Sequence, residues 1–311
     1  MDAVILDEAN LKAAAGAVEP GVLYVVATPI GHLLDISARA REVLGGVTVI
    51  AAEDTRHTRV LLAALDIRTP LMACHAHNEG VVTEAVVLRL RAGAAVALVS
   101  DAGTPLVSDP GGRLVAACHA AGLRVIPIPG ASAVTAALSA AGLPADRYVF
   151  EGFLPRSGGE RRRRVEQWRN EVRTVALFEA PRRVRGTLDE LCDVLGAERR
   201  AVVARELTKR HEQIRAGTLA QLSAEVASGA IPELGEFVLL IAGVDRAVRD
   251  PPALDPAAVM RVLLEFLPPS QASRAAARLT GVGRGELYKL ATDPADKSAG
   301  ASERDTGNPT E

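Results

Sequence analysis

The segment Glu53-Asp54-Thr55-Arg56-His57 crowds two carboxylates, a guanidinium and an imidazole into one short stretch. A carboxylate in such a cluster can take the proton of a hydroxyl that is otherwise a poor nucleophile, provided it comes within hydrogen-bond reach. Asp54 and Glu53 are the candidate proton acceptors, and Arg56 is a candidate anchor for a phosphate or ribose. The plainer alternative is a capping ion pair between Glu53 and Arg56, worth little energetically.

Three loops rich in small residues surround this segment in the sequence. The first, Ala27-Thr28-Pro29-Ile30-Gly31-His32, combines a proline that fixes one dihedral with a glycine that lets the backbone approach a ligand. The second runs from Ser100 through Asp101, Ala102, Gly103, Thr104, Pro105, Leu106, Val107, Ser108 and Asp109 to Gly112. Amides at Gly103 and Thr104 can hold a carboxylate or ribose there, and Asp101 can accept from a hydroxyl or ammonium group. The third, Pro127-Ile128-Pro129-Gly130-Ala131-Ser132-Ala133, precedes a helix whose first amides need partners, so Ser132 is either a helix cap or part of a ligand cradle. No Gly-x-Gly-x-x-Gly follows the first strand and no Gly-x-x-x-x-Gly-Lys occurs, which disfavours NAD and ATP. His75 and His77 beside Cys74 lack helical ligand spacing, so no metal is expected.

Basic charge is concentrated later in the chain. Arg161, Arg162, Arg163 and Arg164 are consecutive, with Arg156, Arg169 and Arg173 nearby, and Arg182, Arg183 and Arg185 form a second cluster. Such groups can supply phosphate contacts to RNA, whereas base choice needs stacking or edge contacts that one tryptophan and few tyrosines can barely supply. A solvated helix face is the alternative reading of the arginine run.

The elements that must position these groups alternate. Apolar runs at 22–27, 47–52, 94–100 and 124–128 are separated by helical stretches and Gly or Pro punctuation, the pattern of a parallel sheet with its loops at strand carboxyl ends. A connector with prolines at 143–157 leads to a second series at 175–179, 201–205 and 237–242. Residues 256–290 accommodate two amphipathic helices around Pro268-Pro269. The expected fold class is α/β, with two α/β domains, a cleft between them and a small C-terminal helical extension. The boundaries fall at 1–20 for an N-terminal segment, 21–142 and 143–246 for the domains, 250–291 for the extension and 292–311 for a disordered tail.

The chain of 311 residues is 48% apolar and 24% charged, with a net charge of −2, so no global field draws it to polyanions. Three scattered cysteines fit a reducing compartment. No apolar run reaches the roughly 18 to 20 residues that span a bilayer, and residues 1–20 read poorly as a signal peptide. A cytoplasmic location without membrane contact is expected.

Taken in order, VATPIGHLLDIS, AAEDTRHT, VSDAGTPLVSDPGG, PIPGASA, FEAPRR, ARELTKRHE and GEFVLLIAG resemble the tetrapyrrole methylase superfamily, in its rRNA-methylating branch. The resemblance covers residues 21–243, and PPSQASRAAARLTGVGRGELY is similar to that branch's helical extension. It implies S-adenosylmethionine as methyl donor, bound between the domains by Pro29, Ala102, Gly103, Thr104, Val107, Ser132, Ala133, Glu179, Leu207 and Ala242, with Asp101 added from the loop chemistry above. The implied acceptor is a cytidine 2'-hydroxyl of 16S rRNA at the decoding centre of the small ribosomal subunit, and the implied assembly is a homodimer. The branch usually reads Pro-Ile-Gly-Asn-Leu where this chain has His32, and Gly103-Thr104-Pro105 departs from the Gly-Asp-Pro of the porphyrin-methylating relatives. Two alternatives stay open: methylation of a tetrapyrrole precursor, and a non-catalytic RNA-binding assembly factor.

Overall fold

The computed structural model describes residues 18–244 and 254–292. Most of the expected N-terminal segment and nearly all of the expected tail lie outside them. Residues up to Val244 form one compact unit, and the residues from 254 belong to a second.

The first lobe is a parallel sheet of order β3-β2-β4-β1-β5, built from β1 (Val22–Val26), β2 (Val49–Ala52), β3 (Leu71–Ala73), β4 (Val96–Val99) and β5 (Arg124–Ile128). Strands buried on both faces read as continuous aliphatic runs, which is why β1, β2 and β4 stand out in the sequence. The short β3 does not. Helices α1 (Ala38–Gly46) and α2 (Thr55–Ala64) cover one face through Val43, Leu44 and Leu62. Helices α3 (Glu79–Arg91) and α4 (Gly112–Ala120) cover the other through Val86, Leu90, Leu114 and Cys118. The chain therefore leaves the adjacent strands β1 and β4 toward opposite faces, opening a crevice at their carboxyl ends, the place where open α/β sheets bind ligands.

Helix α5 (Ala133–Ala140) follows β5 but belongs to neither layer of its own lobe. Its Val134, Ala137 and Leu138 pack on Ala176, Val202, Ala204, Val238 and Leu240 of the second sheet, so the two lobes share a core. That second sheet has the order β6-β7-β10-β8-β9, from β6 (Tyr148–Phe153), β7 (Thr174–Glu179), β8 (Arg200–Arg205), β9 (Gln213–Thr218) and β10 (Phe237–Ile241). Its other face is covered by α7 (Val184–Leu195) and α8 (Leu219–Ala227), while Val165 of α6 (Gly158–Glu166) joins the same core. Strand β6 lies inside the stretch expected as a connector: Pro144 and Pro155 punctuate its flanks rather than its body. Strand β10 runs antiparallel to both neighbours.

Among its described residues the C-terminal unit has three helices rather than two: α9 (Pro256–Leu264), α10 (Pro269–Thr280) and α11 (Arg284–Thr292). The overlooked break is Gly281, whose left-handed φ of 72° terminates α10. Met260, Ala272, Ala276 and Leu287 bury a small core among the three. No helix among the described residues is long and apolar enough to cross a membrane.

Candidate active site

The three small-residue loops meet at the β1/β4 crevice. Thr28 N–H donates to the Gly103 carbonyl at 2.9 Å and Gly103 N–H returns the bond to the Thr28 carbonyl at 3.0 Å, stitching the first loop to the second. The Thr104 hydroxyl donates to the Ala131 carbonyl at 3.2 Å, stitching the second to the third. Gly130 lies so close to the first loop that an added Cβ would stand 3.0 Å from Ala27 Cβ. Leu106 and Ser108 hold φ of 74° and 71°, left-handed values that cost a non-glycine residue about 1–3 kcal/mol each. The surrounding bonds hold that strain beside the site. Glu79 contributes from α3, its buried carboxylate accepting from Gly111 N–H at 3.1 Å and Arg113 N–H at 2.8 Å at the start of α4.

Over these loops lies a cavity of about 450 Å³, of nucleoside-ligand size. Five of its lining residues are carboxylates, Glu53, Asp101, Asp109, Glu179 and Glu236, and none is Lys, Arg or His. Ala102, Gly103, Thr104, Val107, Ser132, Ala133 and Leu207 also line it, so most of the expected donor-site residues gather here. Pro29 does not reach the lining; it shapes the turn beside Ile30, which does. Ser132 makes no side-chain cap bond to α5, which sets aside the capping alternative for it.

Ala242 requires a correction. Because β10 is antiparallel to β7, the cavity meets the amino end of β10, at Gly235, Glu236, Phe237 and Val238. Ala242 follows the opposite end, roughly 17 Å along an extended strand, where its N–H donates to the Arg200 carbonyl.

The acidic segment divides into two unlike carboxylates. Asp54 caps α2 by accepting from Arg56 N–H at 2.8 Å and holds the Arg56 guanidinium at 2.6 and 3.1 Å. Those bonds keep the Asp54 carboxyl well below the usual range, which makes it a poor proton acceptor. The capping pair thus forms, but with Asp54 in place of Glu53. Arg56 is spent on it, although it remains exposed. Glu53 instead faces the cavity, and burial, then the negative charges of Asp101 and Asp109, push its carboxyl up. Asp109 is raised by burial and by Asp101. Asp101 ties the two segments together by accepting from Asp54 N–H at 3.0 Å.

The second lobe roofs the cavity with the turn after β8. Glu206 and Thr208 hold φ of 52° and 63°, and Leu207 between them faces the cavity. Lys209 bridges Glu206 at 3.0 Å and Glu236 at 2.8 Å, fixing this turn to the start of β10. His32 N–H donates to the Thr208 hydroxyl at 3.0 Å, and Gly31 lies so close that a Cβ there would come within 2.5 Å of Lys209 Cγ. The His32 imidazole accepts from Leu34 N–H at 3.2 Å, the capping role an asparagine oxygen plays. Glu179 is buried, and its carboxylate is committed to Ala180 N–H at 2.8 Å, Thr187 at 2.6 Å and Arg183 at 3.2 Å.

The arginines also sort by partner. Arg161 pairs with Glu190, Arg162 lies 3.6 Å from Glu166, and Arg164 holds Glu151 at 2.5 Å. Arg183 clamps Glu179 and the Leu154 and Pro155 carbonyls, so its role is structural. Arg163 and Arg182 are exposed and have no partner among the described residues.

Residues 22–223 match the Tetrapyrrole (Corrin/Porphyrin) Methylases, and residues 250–294 match the RsmI C-terminal HTH domain. Proteins named ribosomal RNA small subunit methyltransferase I are close in sequence. That of Xylella fastidiosa strain Temecula1 is 50% identical over 86% of this chain and 98% of its own, and that of Pseudomonas aeruginosa is 48% identical over 89% and 99%. The Escherichia coli O157:H7 protein is 45% identical over 88% of this chain and 95% of its own. The chain belongs to the tetrapyrrole methylase family, in the ribosomal RNA small subunit methyltransferase I branch. The family fold recurs in solved structures. Cobalt precorrin-4 methyltransferase superposes with a TM-score of 0.55 at 17% identity, covering 74% of this chain and 97% of its own. Uroporphyrin-III C-methyl transferase from Thermus thermophilus, complexed with S-adenyl homocysteine, gives 0.51 at 19%, covering 71% and 96%.

Asp109, in the second loop, lines the cavity too, as do three parts of the second lobe that residue types alone did not single out: the amino end of β10, Phe153 and Phe178. The Gly152-Phe153 pair at the end of an aromatic strand was the available signal for the last two.

Proposed function

We propose that this protein transfers a methyl group from S-adenosylmethionine to the ribosomal RNA of the small subunit, at a cytidine 2'-oxygen of 16S rRNA in the decoding centre. The observation that carries the reading is the cavity itself: five carboxylates and no basic side chain, walled by small and apolar residues, in a chain of this family. A sulfonium donor carries an ammonium beside a carboxylate at its amino-acid end and is a net cation, and the lining carboxylates that are in no ion pair, Glu53, Asp101 and Asp109, favour its cationic groups. The names of the nearly full-length relatives support RNA as acceptor.

S-adenosylmethionine, when bound, supplies an electrophilic methyl on sulfur. Asp101, Ala102, Gly103, Thr104, Val107, Ser132, Ala133 and Leu207 are the residues to hold it. Pro29 supports them by shaping the first loop, and Glu179 by anchoring the turn at 180–183. The acceptor oxygen must be lined up with the methyl carbon and the leaving sulfur, and its proton must go to a base as the new C–O bond forms. Glu53 is that base: it lies in the lining, and its raised pKa makes it more basic than an ordinary carboxylate. Asp54 and Arg56 shape the start of α2 beneath it. Among the arginines, Arg163 and Arg182 are free for phosphate, Arg162 is weakly engaged, and Arg161, Arg164 and Arg183 build the surface that presents them. The reading includes a homodimer acting in the cytoplasm.

Incubation with radiolabelled S-adenosylmethionine and small ribosomal subunits, naked rRNA or uroporphyrinogen decides the matter. Label in RNA at a ribose 2'-oxygen is expected. Label in uroporphyrinogen alone, or in none of the three, sinks the reading.

A further inference from the structure

Beside the acidic cavity lies a second, open hollow of about 500 Å³, and Phe153 lines both. The other walls of the hollow include Pro155, Glu160, Arg163, Arg164 and Gln167. One cavity therefore carries carboxylates and no cation in its lining, while its neighbour sets Arg163 and Arg164 beside Glu151 and Glu160, with Arg164 paired to Glu151, and a single aromatic side chain stands between them.

Phe153 is placed there by a local irregularity. In a regular strand, residues three apart face opposite sides of the sheet. The pairing of β6 with β7 shifts register between Phe150 and Phe153, and Gly152 holds a left-handed φ of 63° that most side chains would resist. The bulge turns both rings to the same side. Phe150 packs edge-on against Phe178 at 5.0 Å, and Phe153 tilts over Phe178 at 5.6 Å. Ser108, in the strained second loop of the first lobe, abuts the bulge, since a Cβ on Gly152 would lie 3.2 Å from its hydroxyl. Phe153 remains 56% exposed despite this support. A large apolar ring, braced from behind and bare in front, offers a face on which a flat ligand can stack.

Helix α6 provides polar groups on the other wall. Ser157 and Glu160 have the spacing of a capping box, yet Ser157 makes no side-chain cap bond. Glu160 carries no hydrogen bond or ion pair among the described residues, and neither does the exposed Arg163 one turn on. The Gln167 side-chain oxygen accepts from the Arg164 guanidinium at 3.0 Å, so its amide N–H groups are the ones left for a ligand.

We infer that this hollow receives the nucleotide to be methylated, with its base stacked on Phe153, its exocyclic amine donating to Glu160 and its phosphate on Arg163. This rests on the functional reading above and extends it to how the base is chosen. A free ring gives sequence-tolerant stacking, and a carboxylate acceptor selects a base that presents an amine, as cytosine does and uracil does not. Because Phe153 borders both cavities, a base seated on it brings its own ribose to the edge of the acidic cavity where Glu53 lies.

The test is steady-state methyl transfer to unmodified small ribosomal subunits by the full-length wild type, Phe153→Leu, Phe153→Trp and Glu160→Gln, with S-adenosylmethionine affinity measured by calorimetry on each. Phe153→Leu is expected to lower kcat/KM for subunits by about tenfold or more, mostly in KM, with a much smaller change in donor affinity. Phe153→Trp restores it. Glu160→Gln, whose amide can serve either base, narrows the preference for cytosine over uracil when the labelled position is changed in the RNA. Wild-type kinetics in Phe153→Leu, or an equal loss of donor affinity, overturns the stacking platform, and undiminished preference in Glu160→Gln overturns its part. Failure of the wild type to label RNA overturns the functional reading itself, which keeps the two failures apart.

Discussion

In the first lobe all five strands run the same way, whereas in the second the central strand β10 opposes both neighbours. A parallel sheet delivers every strand's carboxyl end to one edge, so the loops after β1, β4 and β5 and the acidic segment after β2 arrive at the site together. The mixed sheet delivers the carboxyl ends of β7 and β8 with the amino end of β10. Chemistry-bearing loops are thereby concentrated in the first lobe, while the second contributes a roof, an aromatic step and the arginines.

That division can be broken most sharply at Glu53. Glu53→Gln is expected to slow methyl transfer by about a hundredfold or more with donor affinity retained, while Asp54→Asn costs far less because its carboxylate is already spent on Arg56. A larger loss in Asp54→Asn would move the base to the helix cap. The pH profile sharpens the same point. Glu53 accepts a proton only when ionised, so the rate falls as pH drops through a pKa above the usual carboxylate range, and Glu53→Gln should abolish that limb.

Next comes the joint between the lobes. Gly31→Val drives a side chain into Lys209 and the Thr208 hydroxyl, which a Cβ alone would approach at 2.5 and 2.7 Å. Donor affinity by calorimetry is expected to fall about tenfold, since the Leu207 turn must move. Retained affinity would mean that the roof does not contribute to binding.

Within the second lobe, Arg161→Ser and Arg163→Ser should differ in kind. Removing Arg161 leaves the half-buried Glu190 without its partner and lowers stability by about 1–2 kcal/mol, seen as a drop in Tm. Removing Arg163 leaves Tm unchanged, weakens RNA binding a few-fold and reduces its salt slope by about one. Equal behaviour of the two would erase the distinction between structural and recognising arginines. The smallest effect is expected at Ala242→Ser, which should leave donor affinity unchanged. A loss there would contradict the placement of β10.

Legibility in the sequence followed the same divide. The apolar runs of β1, β2 and β4 are continuous because both faces are buried, and the small-residue loops follow them directly, so the first-lobe loops that meet at the cavity are legible as segments. Ala242 cannot be placed from the sequence because a strand's direction leaves no mark in its composition: FVLLI reads the same whichever way it runs in the sheet. Phe153 is equally silent in the sequence because its exposure comes from a bulge, a matter of register between strands rather than of residue type. The contrast between Glu53 and Asp54 was equally invisible. Both are acids at one strand end, and only the turn into α2 decides which meets Arg56 and which meets the cavity.

The amino-acid sequence by itself determined the α/β class, the strand-end loops of the first lobe, the acidic segment and the concentration of arginine, because these are properties of local residue type and spacing. Tertiary structure alone decided which end of β10 meets the cavity, which carboxylate remains basic, which arginines remain free and where a bare aromatic ring stands. Each of these depends on partners distant in the chain, and a side chain's charge, exposure and proton affinity are set by what packs against it.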